Sequence, residues 1–208
     1  VEPRPIKQIA GTSNFNEVFF TNVRIPDAQR LGEVGEGWSV ALTTLMNERL
    51  GATSAALPPD LPHALALARQ VEIDGEPAIR DAAVRDRLAD WYIESKGLEL
   101  VAARMVTALA RGATPGPEAS IRKLVAASKT QSIASFGMDL QEMAGILLDE
   151  GALDDALFQD AFLHAPGSRI AGGTDEILRN IIAERVLQLP GDIRLDRDVA
   201  YKDIPAGS

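Results

Sequence analysis

Cysteine is absent from this chain of 208 residues, so disulfides, thiolate catalysis and cysteine-ligated metal sites are excluded. Histidine is scarce: His63 and His164 alone cannot build a histidine-rich metal centre, and we expect no bound metal. Basic residues number 21 against 30 acidic ones, which gives a formal net charge of −9. Because no stripe of lysine and arginine is available to neutralise phosphates, nucleic acid is not an expected partner.

Long apolar runs are also absent. No run approaches the ~20 residues of a transmembrane helix, and the first residues, VEPRPIKQIAG, lack the apolar region of a signal peptide. We therefore expect a soluble, cytoplasmic protein without a membrane span. The chain opens on Val1 rather than on methionine, in the middle of a pattern, so we expect it to be a piece of a longer protein.

The β-rich part of the sequence is confined to its N-terminus. Residues 6–26 alternate apolar and polar side chains on either side of a Gly-Thr-Ser-Asn turn, which is typical of two strands, the first over IKQIA. Two strands alone do not form a stable sheet, so the remaining strands are expected to lie outside this chain. We assign residues 1–33 to the end of a β-domain.

The sequence after residue 37 has helical periodicity. Turns rich in proline and glycine separate five stretches in which apolar residues recur every three or four positions: 38–57, 61–70, 78–110, 117–145 and 153–163. Long helices joined by short turns pack antiparallel. We predict a mainly α fold, an up-and-down four-helix-type bundle over residues 34–190, with a short β-rich N-terminal segment from a truncated β-domain and a tail over 191–208.

The stretch RIAGGTDEILRNIIAERVLQLP, from Arg169 to Pro190, leads a flexible turn into an uninterrupted helical pattern. The first N–H groups of a helix lack intrahelical partners, and Gly172 and Gly173 would let a flat or phosphorylated ligand approach the backbone closely. An ordinary N-cap after a tight turn is the commoner explanation of such a pattern. The residue types alone leave both interpretations open.

Four segments together resemble a known family. GGTDEILRNIIAERVLQLP, preceded by PGSRIA, resembles the end of an acyl-CoA dehydrogenase, and VEPRPIKQIAGTSNFNEVFFTNVRIP resembles the end of that family's middle β-domain. PGPEASIRKL and QEMAG are similar to the family's third long helix and its end. The resemblance implies FAD, an acyl-CoA substrate, α,β-dehydrogenation and an electron-transferring flavoprotein as electron acceptor. It also implies that the N-terminal helical domain and most of the β-domain lie outside this chain.

The family's reaction needs a carboxylate that removes the α-proton while the β-hydrogen leaves as hydride to flavin N5. Many members carry this Glu immediately before the Gly-Thr of the turn, where this chain has Gly172. Others, isovaleryl-CoA dehydrogenase among them, carry it on the first helix after the β-domain, followed by Arg. LMNERL matches this second arrangement, so the resemblance implies Glu48 as base, unless Glu48 is an ordinary surface residue. Arg49 would then position the substrate or form an interdomain ion pair.

The same matching assigns the remaining site residues. Gly173 is expected near the substrate thioester, and three residues are expected at the flavin: Thr174, Asp175 and Glu176. Two acids in the first turn of a helix would partly repel a phosphate group. Gln141 and Gly145 match positions that touch the FAD of a neighbouring subunit in relatives, although a plain helix end would also explain them.

One family segment is missing. Many members begin their second long helix with Arg-x-x-Phe-Gly, whose Arg binds the neighbour's FAD, whereas this chain reads ALARQVEIDGEPAIRD and offers only Arg69 nearby. Such losses occur in a subgroup that assembles from two kinds of subunit. We therefore expect a homo-oligomer or a heteromer with a related subunit, and a non-catalytic assembly subunit is the alternative to a catalytic one.

Overall fold

The computed structural model describes residues 1–52, 58–112, 116–191, 199 and 201–204. In this part of the chain the protein is mainly helical, with a short antiparallel hairpin at the N-terminus, which confirms the predicted fold class. A second, very short hairpin, β3 (Glu72–Ile73) with β4 (Glu76–Pro77), joins two of the helices. No helix among the described residues is long and apolar enough to cross a membrane.

The N-terminal hairpin pairs β1 (Glu2–Ile6) with β2 (Phe15–Phe19) in antiparallel register. The prediction of a first strand over residues 6–10 is wrong, because residues 7–14 form the connecting loop. Turn hydrogen bonds from Gln8 N–H to Thr12 and from Gly11 N–H to Gln8 close that loop. The real strand contains two prolines, which β-sheets tolerate at edges. All ten strand residues are exposed, as expected for a hairpin from a larger sheet.

Six α-helices follow in the described residues: α1 (Gly37–Ala52), α2 (Leu61–Gln70), α3 (Ala82–Ala110), α4 (Ala119–Leu140), α5 (Leu157–Ser168) and α6 (Asp175–Ile181). The bounds of α2 are the predicted ones. The prediction for α1 extended to residue 57, and residues 53–57 lie outside the described part. Helix α3 begins later than predicted because Asp81 caps it, accepting the Val84 N–H at 3.0 Å.

Other helix ends also differ from the predictions. Helix α4 begins at Ala119 rather than at residue 117, and α5 ends at Ser168 rather than at residue 163. Helix α4 ends at Leu140 rather than at Gly145, because Glu142 has a left-handed φ of 50° and the chain continues as a 3₁₀ turn, Glu142–Ile146. Helix α5 begins at Leu157 rather than at residue 153, after a left-handed turn over residues 154–156. Helix α6 passes into a single π turn, Ile182–Val186, and does not run uninterrupted to Pro190.

The core forms around α4, which packs against α2, α3, α5 and α6. Its largest fully buried side chains come from four different helices: Leu67, Trp91, Ile133 and Phe158. The Trp91 ring meets Phe136 edge-on at a centroid distance of 5.1 Å. Gly137 lets α5 approach α4, because a Cβ at Gly137 would lie 2.0 Å from the Phe158 ring. This packing places the α5–α6 connection against α4.

Candidate functional site

The connection between α5 and α6 is a glycine turn capped by threonine. Gly172 and Gly173 take left-handed φ values of 72° and 111°, which glycine adopts without steric cost. Thr174 is then extended, and its hydroxyl accepts the Ile177 N–H at 3.4 Å as the N-cap of α6. The Gly173 N–H donates to the Ile170 carbonyl at 3.2 Å, so this amide forms a hydrogen bond within the turn.

A lysine from α4 holds the backbone of this turn. Lys123 Nζ donates to the Gly173 carbonyl at 2.6 Å and to the Arg169 carbonyl at 3.2 Å. The two carbonyls lie on either side of the turn, so one ammonium group spans it. A Cβ at Gly172 would make one ordinary contact, with Lys123 Cε at 4.0 Å, so the left-handed φ rather than a lack of room favours glycine there.

An ion pair bridges the same turn. Arg169 donates through Nε to Asp175 Oδ2 at 2.8 Å and also through Nη2, while Nη1 donates to Gln131 Oε1 at 3.0 Å. Asp175 is only 4% exposed, whereas the Arg169 side chain is 41% exposed. Asp175 Oδ1 is buried without a hydrogen-bond donor among the described residues. The first-turn acid predicted at the flavin therefore neutralises an arginine and keeps one free acceptor oxygen.

Glu176 occupies the exposed side of the first turn of α6. Hydrogen bonds from its own backbone N–H and from the Thr174 hydroxyl hold the pKa of this carboxyl below its ordinary value of 4.5. The carboxylate is thus ionised at neutral pH and stabilises the positive end of the helix. Because Arg169 neutralises Asp175, Glu176 carries the uncompensated negative charge of this first turn, and that charge opposes the binding of a phosphate.

Gln141 and Gly145 lie at the far end of α4 from this turn. Eighteen residues separate Lys123 from Gln141, or about 27 Å along a helix. The buried Gln141 amide donates to the Gly137 carbonyl at 2.9 Å and accepts from Gln159 at 3.4 Å. A Cβ at Gly145 would lie 2.2 Å from the Met138 carbonyl, so the chain's own packing requires glycine there. The structure thus does not bring these two residues to the glycine turn.

The predicted base and its neighbour lie in α1. Glu48 and Arg49 fall within Gly37–Ala52, in its C-terminal half, and their side chains lie outside the described residues. Adjacent residues of a helix point about 100° apart, so the two side chains are not expected to face the same way. Trp38, at the start of the same helix, is 74% exposed.

An open polar groove of about 480 Å³ runs along α4 between α3 and α5, with Arg169 in its wall. Both guanidinium groups in it already have partners. Arg87 donates to Ser132 Oγ at 2.6 Å and lies over the Trp91 ring, and Arg169 is engaged as described above. Asp139 adds a negative charge to the wall. Arg169 is neutralised by Asp175, whereas the partner of Arg87 is a neutral hydroxyl, so the groove offers an anion one cation at most.

Comparison with known proteins decides the family. A family sequence model described as "Acyl-CoA dehydrogenase, C-terminal domain" matches residues 35–187. The chain belongs to the acyl-CoA dehydrogenase family. It is 35% identical over 191 residues to acyl-CoA dehydrogenase FadE34 of Mycobacterium tuberculosis, which is 91% of this chain and 25% of that protein.

Solved structures of the family share the fold. One titled "Tcur3481-Tcur3483 steroid ACAD" has a TM-score of 0.77 at 22% identity, over 92% of this chain and 49% of that one. The ChsE4-ChsE5 complex from M. tuberculosis gives 0.72 at 21% identity, over 92% of this chain and 50% of that one. The chain therefore spans a quarter to a half of the length of these proteins.

Sequence reasoning missed the two side chains that hold the turn. Lys123 and Arg169 both lie in segments that carry the resemblance, IRKL and SRIA. Fifty residues separate Lys123 from Gly173, and no spacing rule links them; only the packing of α4 against the turn does. The Arg169–Asp175 pair had a weak local signal, an arginine and an acid on either side of two glycines.

Proposed function

We propose that this chain is the C-terminal part of an FAD-dependent acyl-CoA dehydrogenase, with Glu48 as the catalytic base. Family membership supports an oxidoreductase. The observation that carries the finer proposal is Gly172: the family's frequent base position has no side chain here. The carboxylate must then come from another element, and Glu48 on α1 is the residue that matches the family's second arrangement.

In this proposal each residue has a distinct task. Glu48 removes the α-proton of the thioester, and the exclusion of water raises the pKa of such a carboxylate towards neutrality. Arg49 positions the substrate or pairs with the neighbouring domain. Gly173 lies beside the thioester, where the lack of a side chain permits close approach. When bound, FAD supplies the acceptor for the hydride that leaves the β-carbon.

The residues of the turn suit an uncharged, hydroxyl-bearing part of FAD better than its pyrophosphate. Asp175 Oδ1 has no donor among the described residues, but it is buried, so a hydroxyl of FAD would have to displace the atoms that cover it. The charge of Glu176 opposes a phosphate, whereas the charge of Asp175 is neutralised by Arg169. Thr174 contributes through the cap that fixes the start of α6. Gln141 and Gly145, at the other end of α4, would meet the FAD of a neighbouring subunit.

The test is Glu48→Gln in the full-length protein that contains this chain. Glutamine keeps the size and polarity of the side chain but cannot take a proton. We expect bound FAD to remain at parental occupancy, while its bleaching by acyl-CoA falls by at least ~10²-fold, because general base catalysis contributes about 10²–10⁴. The measurement is anaerobic stopped-flow absorbance of the flavin with a panel of acyl-CoA thioesters.

Glu94→Gln is the matched control, because Glu94 is an exposed acid on α3. Its bleaching rate should equal that of the parent. Undiminished bleaching by Glu48→Gln would remove Glu48 as the base.

A second candidate function is a non-catalytic assembly subunit of a heteromeric acyl-CoA dehydrogenase. Gly172 and the absent Arg-x-x-Phe-Gly favour it, and titles of two solved structures with this fold each name two proteins. In that case acyl-CoA should not bleach flavin in the purified full-length protein by itself. Bleaching should appear only after a related subunit is added. The catalytic proposal expects turnover by the homo-oligomer, with an electron-transferring flavoprotein as acceptor.

The proposed domain limits follow from the same assignment. Residues 1–33 would end the middle β-domain, residues 34–190 would form the helical domain and residues 191–208 a tail. Limited proteolysis of the full-length protein tests the first limit, because the loop between the exposed hairpin and α1 should be cut first if it links two domains.

A further inference from the structure

The glycine turn between α5 and α6 is conformationally demanding. Two consecutive glycines with left-handed backbone lose much conformational entropy on folding. Within the turn, the hydrogen bonds that hold them are single backbone bonds, such as Gly173 N–H to the Ile170 carbonyl at 3.2 Å. The Arg169–Asp175 pair also spans the turn, and a side chain from another helix that binds both arms would restrict its geometry further.

Lys123 supplies that restraint from the centre of the bundle. Its ammonium donates to the carbonyls of Arg169 and Gly173, which belong to opposite arms of the turn. Hydrogen bonds from an ionised donor are roughly twice as strong as neutral ones. Because α4 packs against α2, α3, α5 and α6, this contact links the turn to the centre of the bundle.

We propose that Lys123 is a positioning residue for the dehydrogenation: its ammonium holds the Gly172–Gly173 backbone at one fixed place beside thioester and flavin. This inference rests on the proposed function. A misplacement of about 1 Å can cost ~10²-fold in rate even when the altered residue does not touch the reacting atoms. Lys123 therefore acts through the turn and not on the substrate.

Lys129 provides a matched control on the same helix. It lies six residues after Lys123, is buried, and donates to Ser95 Oγ on α3 at 2.7 Å. Lys129→Met removes the same charge and the same donors from α4 but leaves the turn untouched. A general loss of α4 stability affects both variants, whereas loss of the restraint affects Lys123→Met alone.

The first measurement is amide hydrogen exchange in the full-length protein, followed in peptides that cover residues 167–176. Lys123→Met should speed exchange there by at least tenfold, and Lys123→Arg, which keeps a cation with several donors, should restore part of the protection. Lys129→Met should leave these peptides at the parental rate. Equal protection in Lys123→Met and the parent would overturn the proposed restraint, whatever the activity of the protein.

The second measurement is flavin bleaching by acyl-CoA at saturating and at limiting substrate. Lys123→Met should lower the limiting rate by 10- to 100-fold at unchanged FAD occupancy, with a smaller change in half-saturation, and Lys123→Arg should recover part of it. If flavin in the parent is bleached and Lys123→Met keeps the parental limiting rate, the positioning role of Lys123 is overturned while the proposed function stands. If the parent does not bleach, the proposed function fails together with the reaction that Lys123 would serve.

Discussion

Single charged residues decide the shape of the candidate site. The ion pair of Arg169 and Asp175 spans the two glycines, and Lys123 of α4 donates hydrogen bonds to the backbone carbonyls of the same turn. These contacts give a flexible sequence one geometry. The aspartate predicted to lie at the flavin is paired with Arg169 through Oδ2, and its Oδ1 is buried without a donor among the described residues.

Asp175→Asn should destabilise the protein by about 1–2 kcal/mol. The substitution removes the charge but keeps the shape, and the cost is limited because the half-exposed Arg169 can recover water. Urea denaturation of the full-length protein should show this loss of stability as a lower midpoint concentration of urea. Asp86→Asn, at an exposed position on α3, is the control and should leave the midpoint unchanged.

Glu176 predicts a dependence of stability on pH. Its folded-state pKa is lowered, so its contribution is present above the ordinary value of 4.5 and is lost as pH falls through the folded pKa. Glu176→Gln removes that contribution. The midpoint difference between the parent and Glu176→Gln should therefore be largest near pH 6–7 and shrink below pH ~4. A difference that grows as the pH falls would contradict the assignment.

Helix α4 organises the molecule at the scale of elements. Its glycine at position 137 lets α5 pack closely, and its N-terminal half carries the lysine that reaches the turn. The site is thus fixed through the same helix whose packing forms the core. Any change that moves α5 on α4 should also move the turn that follows α5.

Gly137→Ala should cost about 1–3 kcal/mol, because the added methyl would meet the Phe158 ring. Gly97→Ala on α3 is the matched control, since a Cβ there meets nothing within 4 Å. Alanine in an exposed helix should stabilise by up to ~1 kcal/mol. Thermal melting should shift in opposite directions for the two variants, and a shift in the same direction would contradict the packing of α5 on α4.

The sequence predicted the elements better than their ends. Apolar periodicity and proline stops located the helices, and the Asp60 and Asp81 caps were readable in principle. The end of α4 could not be predicted in this way, because the helix stops before Glu142, which has a left-handed φ although it is neither glycine nor proline. The first strand was misplaced because alternation cannot distinguish a loop such as 7–14 from a strand.

In the candidate site, too, the sequence predicts local properties but not the contacts that depend on helix packing. Thr174 as N-cap is a local property and could be inferred from the residues around it. The contacts of Lys123 and the burial of Gln141 depend on which helices pack together, which a single sequence does not reveal. The functional assignment came from resemblance over four segments and not from periodicity.

At the scale of the whole molecule, the N-terminal part is the exposed part. Large apolar side chains of the hairpin and of the start of α1, among them Phe15, Phe20 and Trp38, face solvent. The second half of α3 likewise exposes Leu100 and Val106. Surfaces of this kind mark interfaces, which fits a chain that spans half or less of the length of its matched relatives.

Residues 1–208 expressed alone should retain no FAD. Most of the residues predicted to bind it are engaged within the chain, and the chain spans only a quarter to a half of the length of its matched relatives. The purified protein should show no flavin absorbance after gel filtration, and added FAD should elute separately. A yellow, flavin-retaining preparation would contradict this prediction.

Glu48 is the residue proposed to remove the α-proton. The most direct measurement is exchange of the acyl-CoA α-protons with deuterium oxide, followed by proton NMR, with the full-length flavin-loaded protein under anaerobic conditions and without an electron acceptor. The parent should exchange the α-protons, and Glu48→Gln should not, at equal FAD occupancy. Exchange by Glu48→Gln at the parental rate would show that the base lies elsewhere.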